Sequence, residues 1–350
     1  MSIFLTGTTG FLGGKLLANL LQTTNHTLFV LVRDMKKAEK LVASLPNDAE
    51  SRIKLYRGDI TQRDCGLSSA DLDELSGKVE LFYHLAALVK FDEDLRDELF
   101  AINYGGTQHA LELAKKLTVS KFFYVSTAYT MGKHSYGVEE LYPPEVKGHN
   151  PYEDSKIKSE HLAFSYINNF DVSIFRPSII VGDSNTGEAD SEFTLYGFMR
   201  ALDVFKKRIS RQANTSDKVY RLIGSKDSTS NVVPVNYVAD ILALAAQKAA
   251  PQTIYNIINP QPIKNVISLA LITEALNFNQ FKIVSHEHAD KLTPEEQRVN
   301  DMIAVINPYL IRSFDFDDSN TQQLIKDTNI AHLNLSEDTF KMIIHAYFKV

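Results

Sequence analysis

The residues Thr6-Gly7-Thr8-Thr9-Gly10-Phe11-Leu12-Gly13 carry glycines at three-residue spacing. They stand between a short apolar stretch, Ser2 to Leu5, and a segment, Gly14 to Leu21, whose leucines at 16, 17, 20 and 21 share one helical face. Strand, glycine turn and helix in that order constrain the fold more than any other part of the chain. In such a turn Gly7 lets the backbone bend sharply, Gly10 lets amides approach an anion, and Gly13 lets the helix pack close to the strand. The helix amino terminus then meets the anion, and a pyrophosphate is the expected occupant.

The pattern repeats downstream. Thr27 to Val32 is nearly all apolar, as in a strand buried on both faces of a parallel sheet, and Met35 to Ala43 follows as a helix. Ile53 to Tyr56, Val79 to His84, Lys121 to Val125 and Val172 to Phe175 predict further strands, with Asn103 to Leu117 helical between them. About six or seven parallel strands joined by right-handed crossovers give an α/β fold, a doubly wound parallel sheet. From Val181 onward the alternation weakens, and Gly, Asp, Ser and Asn clusters at 182–187 and 213–217 predict loops over a substrate. Val232 to Val238 leads into a helix, Ala239 to Lys248, and Ile254 to Ile258 is a strand. The expected division is a nucleotide-binding domain over 1–180 with 232–258 interleaved, and a smaller carboxyl-terminal substrate lobe from 181–231 and 259–350.

With 350 residues and 44% hydrophobic content, the chain can bury a large core. A net charge of −6 gives no general attraction to nucleic acid. Cys65 is the sole cysteine, which excludes an intramolecular disulfide and a thiolate metal cluster. His84, His134 and His149 show no metal-ligand spacing, so no metal is expected. No apolar run approaches the ~20 residues of a transmembrane segment, and the opening residues read as a strand, not a signal peptide. A cytoplasmic protein is expected, with peripheral membrane contact left open for a lipid substrate.

About 20 positions past the glycines, where an acidic residue would bind the ribose 2′-hydroxyl of NAD, stands Arg33. A guanidinium suits a 2′-phosphate, and Lys36 and Lys37 stand nearby, so NADP(H) is the expected cofactor. A one-residue shift would instead bring Asp34 to the ribose. Asp59 is placed to accept a hydrogen bond from the adenine amino group, with Ile60 under the ring. Leu85-Ala86-Ala87 supplies small residues where backbone must run against the cofactor.

Tyr152 and Lys156 are four apart and share a helical face. A tyrosine with a pKa of about 10 is a poor acid at neutral pH, and an adjacent ammonium would lower it. The same lysine can reach the nicotinamide ribose. Ser126-Thr127, ending the strand Lys121 to Val125, offers a hydroxyl for the substrate oxygen, and Thr127 is the choice.

In their order Thr6 to Gly13, Asp59-Ile60, Asn103, Ser126-Thr127, Tyr152 to Lys156 and Arg176-Pro177-Ser178 make the chain resemble an extended short-chain dehydrogenase/reductase over residues 1–260, with its Rossmann sheet. The resemblance implies that Thr127, Tyr152 and Lys156 are catalytic, with Asn103 supporting the active-site helix and its water. It implies cofactor contacts at Gly7, Thr9, Gly10, Phe11, Leu12 and Gly13, and at Arg33, Lys36, Asp59 and Ile60. Further contacts are implied at Leu85, Ala86, Ala87, Tyr152, Lys156, Pro177, Ser178 and Ile179.

Within that family, His84 to Glu93, Val125 to Tyr129, Val32-Arg33-Asp34 and Phe314 to Thr321 are similar to the fatty acyl-CoA reductase and carboxylic thioester reductase branch, with its male-sterility-type NAD(P)-binding domain. The branch implies that NADPH reduces an acyl thioester, carried on coenzyme A or on a separate carrier protein, to an aldehyde, with Tyr152 as proton donor; a second hydride transfer could carry the aldehyde to alcohol, and the sequence does not say whether the reaction stops before it. A homodimer is left open, and Val181 to Gly187 is expected to border the substrate entrance. Two alternatives stand beside this. One is an extended enzyme acting on a ketone, a secondary alcohol or a nucleotide sugar, with Arg221 on a nucleotide phosphate. The other is a non-catalytic NADP(H)-sensing protein, against which the retained Thr127, Tyr152 and Lys156 argue.

Overall fold

The computed structural model describes residues 2–46, 48–190, 194–211 and 218–350; the loop expected at 213–217 lies outside the described residues. The chain divides into two units. The first comprises Met1–Ser178, Val235–Ile257 and Phe316–His332; the second comprises Ile179–Pro234, Ile258–Asp315 and Leu333–Val350.

The first unit is built on seven parallel strands, β1 (Ser2–Thr6), β2 (Thr27–Val32), β3 (Ile53–Arg57), β4 (Leu81–His84), β5 (Lys121–Val125), β6 (Asp171–Pro177) and β7 (Thr253–Ile257), in the order β7-β6-β5-β4-β1-β2-β3. The order reverses between β1 and β4, which is where a doubly wound sheet opens a crevice at its carboxyl edge. Pleating sends alternate side chains to opposite faces, and each face carries aromatic rings in contact. On one face Phe4 meets Phe82 at 4.8 Å and Phe82 meets Phe122 at 5.2 Å. On the other, Tyr83 meets Phe123 at 5.2 Å, Phe123 meets Phe175 at 5.2 Å, and Phe175 stacks on Tyr255 at 5.1 Å. Such pairs add about 0.5–1.5 kcal/mol each beyond the area they bury.

Helices α1 (Phe11–Thr23), α2 (Met35–Ala43), α3 (Gly106–Lys116), α4 (Pro151–Phe164) and α5 (Val235–Lys248) flank this sheet. In α1 the leucine face at 16, 17, 20 and 21 is buried, as its spacing requires. Asn150 caps α4 by accepting the Glu153 amide at 3.0 Å, and Pro151 stands in the first turn, where its missing N–H costs nothing. The helix expected over Asn103 to Leu117 is two pieces, a π-helical turn Phe100–Gly105 and then α3. The helix expected from Ala239 begins at Val235, because Pro234 closes the preceding strand Val232–Pro234 and cannot extend its hydrogen bonding.

Residues 316–332 were expected in the substrate lobe and instead belong to the first unit. The helix Ser319–Ile325 is stitched to edge strand β7: Asn320 Nδ2 donates to Ile254 O at 2.9 Å, Thr321 Oγ1 to Asn256 O at 2.8 Å, and Asn256 Nδ2 to Asp317 O at 2.7 Å. Half-buried Glu139 completes the seam by accepting the Asn256 amide at 2.7 Å and the Asn320 amide at 2.5 Å.

In the second unit the strand Ile179–Val181 pairs with Val232–Pro234, and Tyr220–Ile223 pairs with Phe281–Val284, both parallel. The helix Glu337–Phe348 packs on Asn265–Leu276. The loop at 182–187 is a turn organised by Asp183, whose carboxylate accepts the Asn185 amide at 2.9 Å while Gly187 adopts φ +75°.

Candidate active site

The glycine turn follows β1 and opens α1. Gly7 has φ +78°, and a Cβ there would lie 2.6 Å from Ala86 N, so only glycine lets the backbone after β1 lie against the backbone after β4. Gly10 caps α1 with no side-chain hydrogen bond, leaving the first-turn amides without a side-chain partner.

Thr6 and His84 end the two strands that flank the crevice and fix its floor. The Thr107 hydroxyl donates to Asn103 O at 2.6 Å, so it accepts from His84 Nε2 at 3.2 Å. His84 Nδ1 then accepts from Thr6 Oγ1 at 2.9 Å, and Thr6 Oγ1 accepts the Ala86 amide at 3.3 Å. Burial, with the Lys156 charge second, pulls the His84 pKa down to about 3, so this imidazole is neutral and structural.

Asp59, expected to meet the adenine, accepts at Oδ1 from the Thr61 amide at 2.9 Å and the Thr61 hydroxyl at 2.8 Å, which orients the carboxylate. Ile60 is buried beneath Gly106, where a Cβ would lie 2.7 Å from Ile60 Cδ1. Arg33, Lys36 and Lys37 are exposed past the end of β2. Asp34 is spent locally: it caps α2 by accepting the Lys37 amide at 3.0 Å. The Arg33 guanidinium has no hydrogen bond or ion pair among the described residues.

Tyr152 and Lys156 lie on α4 as the spacing requires. Lys156 Nζ donates to Val125 O at 2.8 Å, sits 4.7 Å from the centre of the Tyr124 ring and 6.0 Å from that of Tyr152. Lys156 is 2% exposed, and burial pulls its pKa down to about 7, with Glu160 opposing. Burial pushes the Tyr152 phenol above its ordinary value, with Glu153 adding to the rise. In the protein without cofactor the phenol is thus raised, where the sequence led us to expect it lowered, because burial disfavours the phenolate and Glu153 adds to that.

Thr127 follows β5 and is 7% exposed, its Oγ1 accepting only a long 3.4 Å contact from the Tyr129 amide. Asn103 lies in the π-helical turn and is fully engaged: it accepts the Leu88 amide at 2.7 Å and donates to Leu88 O at 3.0 Å and Ser155 Oγ at 2.9 Å. It ties the segment after β4 to α4, which makes it a positioning residue.

Sequence reasoning missed three supports. Phe91 packs on Tyr152 with ring centres 5.9 Å apart. Arg96 reaches Asp154 at 2.9 Å, fixing that segment to α4. Arg176 forms a buried two-point pair with Glu160 at 2.8 and 2.6 Å and donates to Val138 O and Glu140 O at 3.0 Å each. For the last the signal was Glu160, which continues the four-residue stripe of Tyr152 and Lys156 but does not point to Arg176 as its partner. Arg221, considered for a nucleotide phosphate, is occupied by Glu296 at 2.7 Å.

These residues fit a nicotinamide dinucleotide. The glycine cradle and the uncapped start of α1 leave backbone amides to offer an anion, and the Thr8, Ser126 and Ser178 hydroxyls are buried without a hydrogen-bond partner. Among the described residues no cluster of His, Cys, Asp and Glu could hold a metal, and no helix is long and apolar enough to cross a membrane.

Known proteins resemble this chain in sequence and fold. Fatty acyl-CoA reductase 2 of Mus musculus is 30% identical over 223 residues, 51% of this chain and 43% of that protein. A linear gramicidin synthase polypeptide of Brevibacillus parabrevis is 32% identical over 204 residues, 54% of this chain and 4% of that protein. The chain thus spans less than half the length of either relative. The terminal R domain of the myxalamid PKS-NRPS biosynthetic pathway shares the fold, with a TM-score of 0.79 at 23% identity over 98% of this chain and 89% of that one. Residues 5–242 match the family model described as male sterility protein. The chain therefore belongs to the male sterility protein family, a nicotinamide-binding branch of the extended short-chain dehydrogenase/reductase class of oxidoreductases.

Proposed function

We propose that this protein is an NADPH-dependent reductase of acyl thioesters, presented on coenzyme A or on a separate carrier protein. The observation that carries the reading is the placement of Thr127, Tyr152 and Lys156 on the unit that bears the glycine cradle, in a chain whose relatives include a fatty acyl-CoA reductase. NADPH, when bound, supplies a hydride to the thioester carbonyl carbon. Negative charge then develops on the carbonyl oxygen, and Thr127 Oγ1, held only by its long amide contact, hydrogen-bonds to it. Tyr152, a phenol protonated at neutral pH, is the proton donor of this reading, and since burial raises its pKa the release of its proton depends on a charged Lys156 beside it. The phenolate left behind favours a charged Lys156, whose pKa of about 7 rises beside an anion. The tetrahedral adduct loses thiol to give an aldehyde, and a second round gives an alcohol.

Two features support NADPH over NADH. Asp34, the residue that would bind a ribose hydroxyl, is turned to its own helix, and Arg33 beside it is unpaired among the described residues. The engagement of Arg221 with Glu296 removes the feature that favoured a nucleotide sugar. The reading is tested by incubating the protein with NADPH and acyl-CoAs, following nicotinamide oxidation and quantifying aldehyde and alcohol. Thioester-dependent oxidation with matching product supports it. Inactivity on every thioester with turnover of a simple ketone or secondary alcohol overturns it.

A further inference from the structure

Thr127 Oγ1 caps the turn Ala128–Met131 by accepting the Tyr129 amide at 3.4 Å. An ordinary amide hydrogen bond is about 2.7–3.2 Å long, so this contact alone fixes the hydroxyl weakly. A donor to a developing oxyanion must stand about 2.7–3.1 Å from it, and a threonine free to change rotamer would miss that position. The turn is held from elsewhere.

A distant part of the chain does so. The Phe316 ring meets the buried Tyr129 ring edge-on at 5.5 Å. It closes over Gly137, where a Cβ would lie 2.6 Å from Phe316 Cδ1 and 3.0 Å from Met131 Sδ, so the ring and the last residue of the turn share the space that glycine leaves bare. The segment carrying Phe316 is pinned in turn. Asp317 donates its amide to Gly137 O at 2.8 Å, and Asn256 Nδ2 on β7 donates to Asp317 O at 2.7 Å. Glu139 accepts the Asn256 amide at Oε1 and the Asn320 amide at Oε2, so both oxygens of one half-buried carboxylate are used. On either side of it, Val138 O and Glu140 O accept from Arg176, which fixes the loop that receives Phe316 to β6 as well. All of these residues lie in the first unit.

We infer that Phe316 is a positioning residue for the reaction: anchored to β7 through Glu139 and Asn256, its ring holds Tyr129 in place and so fixes the Thr127 hydroxyl where the carbonyl oxygen of the substrate arrives. This inference rests on the thioester reductase reading and on the role given there to Thr127. Phe316 and Glu139 act through the turn, not on the substrate. A displacement of about 1 Å at a reacting group costs up to about 10²-fold in rate, so loss of the ring is expected to lower kcat by about tenfold or more and to leave ground-state binding nearly unchanged.

Steady-state kinetics of the whole chain with NADPH and a saturated acyl-CoA test it. The variants are Phe316→Ala, Phe316→Leu, Glu139→Gln and Thr127→Ala, with Phe316→Ala and Glu139→Gln each also combined with Thr127→Ala. The expected result is a kcat lowered by Phe316→Ala and by Glu139→Gln with KM changed less than about twofold, a kcat largely restored in Phe316→Leu, and no further loss when either change is added to Thr127→Ala. The same fold-loss with and without Thr127, or an unchanged kcat in Phe316→Ala and Glu139→Gln, would overturn the inference while leaving thioester reduction intact. Glu139→Gln keeps the shape of the side chain and turns one acceptor into a donor, so it carries the comparison should Phe316→Ala fail to fold. Hydrogen-exchange mass spectrometry gives a readout independent of turnover. Exchange at residues 128–131 should quicken in Phe316→Ala and Glu139→Gln while the strand Thr27–Val32 stays as protected as in the wild type. Unchanged exchange at 128–131 would overturn the inference. Quickened exchange there, in a protein that reduces no thioester, would uphold the hold of Phe316 on the turn and defeat the reaction.

Discussion

Tyr152 and Lys156 show how far one residue pair can be read from a sequence. Their spacing predicts a shared helical face, and α4 provides it. Their acidities were not legible, because desolvation depends on Tyr124 and Val125, which arrive from β5. Replacing Tyr152 with Phe removes the proposed proton donor without emptying the site. The expected outcome is a loss in kcat of about 10²–10⁴-fold with NADPH affinity unchanged, checked by steady-state kinetics and fluorescence titration.

Lys156 carries a pH signature of its own. An unfolded lysine keeps its proton to a pH of about 10.4, whereas in the folded protein Lys156 releases it near 7. Between these values the unfolded chain holds more protons, so stability climbs with pH, and below 7 that contribution is lost. From pH 7 to 9 the rise approaches about 1.4 kcal/mol per pH unit. Urea unfolding across this window should show the climb in the wild type and a flatter profile in Lys156→Met. Equal slopes would mean that the buried amine keeps its proton.

Among the elements, α4 binds the active site to its surroundings. Its start was legible from Asn150-Pro151, a cap followed by a first-turn proline. Its inner face was not, since the partner of Glu160 is Arg176 on β6, and the Arg176-Pro177-Ser178 motif carries no sign of an ion pair. Both members are almost fully buried, Arg176 at 1% and Glu160 at 2% exposure. Glu160→Gln would strand the guanidinium charge in the interior, and a loss of about 3–5 kcal/mol is expected from chemical denaturation. A loss under about 1 kcal/mol would show that the Val138 and Glu140 carbonyls suffice for Arg176. The π-helical turn at Asn103 was hidden for a different reason. Nothing in the composition of Phe100 to Gly105 marks a π-helical turn, whereas in the structure the bonds from Asn103 to Leu88 and Ser155 fall within it.

For the whole molecule, the strand series was legible because both faces of the sheet are covered. Strands such as Thr27–Val32 and Lys121–Val125 then become continuous apolar runs, distinct from any helix. The return of residues 316–332 to the first unit was not legible, since it depends on hydrogen bonds to Asn256 and Glu139 from far along the chain. Cofactor binding should stabilise the folded chain through mass action, by about 2.7 kcal/mol at a concentration one hundred times Kd. Thermal melts with NADPH and NADH at equal concentration should show the larger shift for NADPH, and Arg33→Ala should erase the difference. An equal response in the wild type would assign Arg33 to ordinary surface charge.

Hydride transfer to the carbonyl carbon of a thioester is tested most directly with NADPH deuterated at the transferring position of C4. The protein is incubated with a saturated acyl-CoA, and the product is analysed by mass spectrometry. The expected result is deuterium on the former thioester carbon of the aldehyde or alcohol, in an amount matching the nicotinamide oxidised. Nicotinamide oxidation that leaves the acyl-CoA intact, or product without the label, would contradict it.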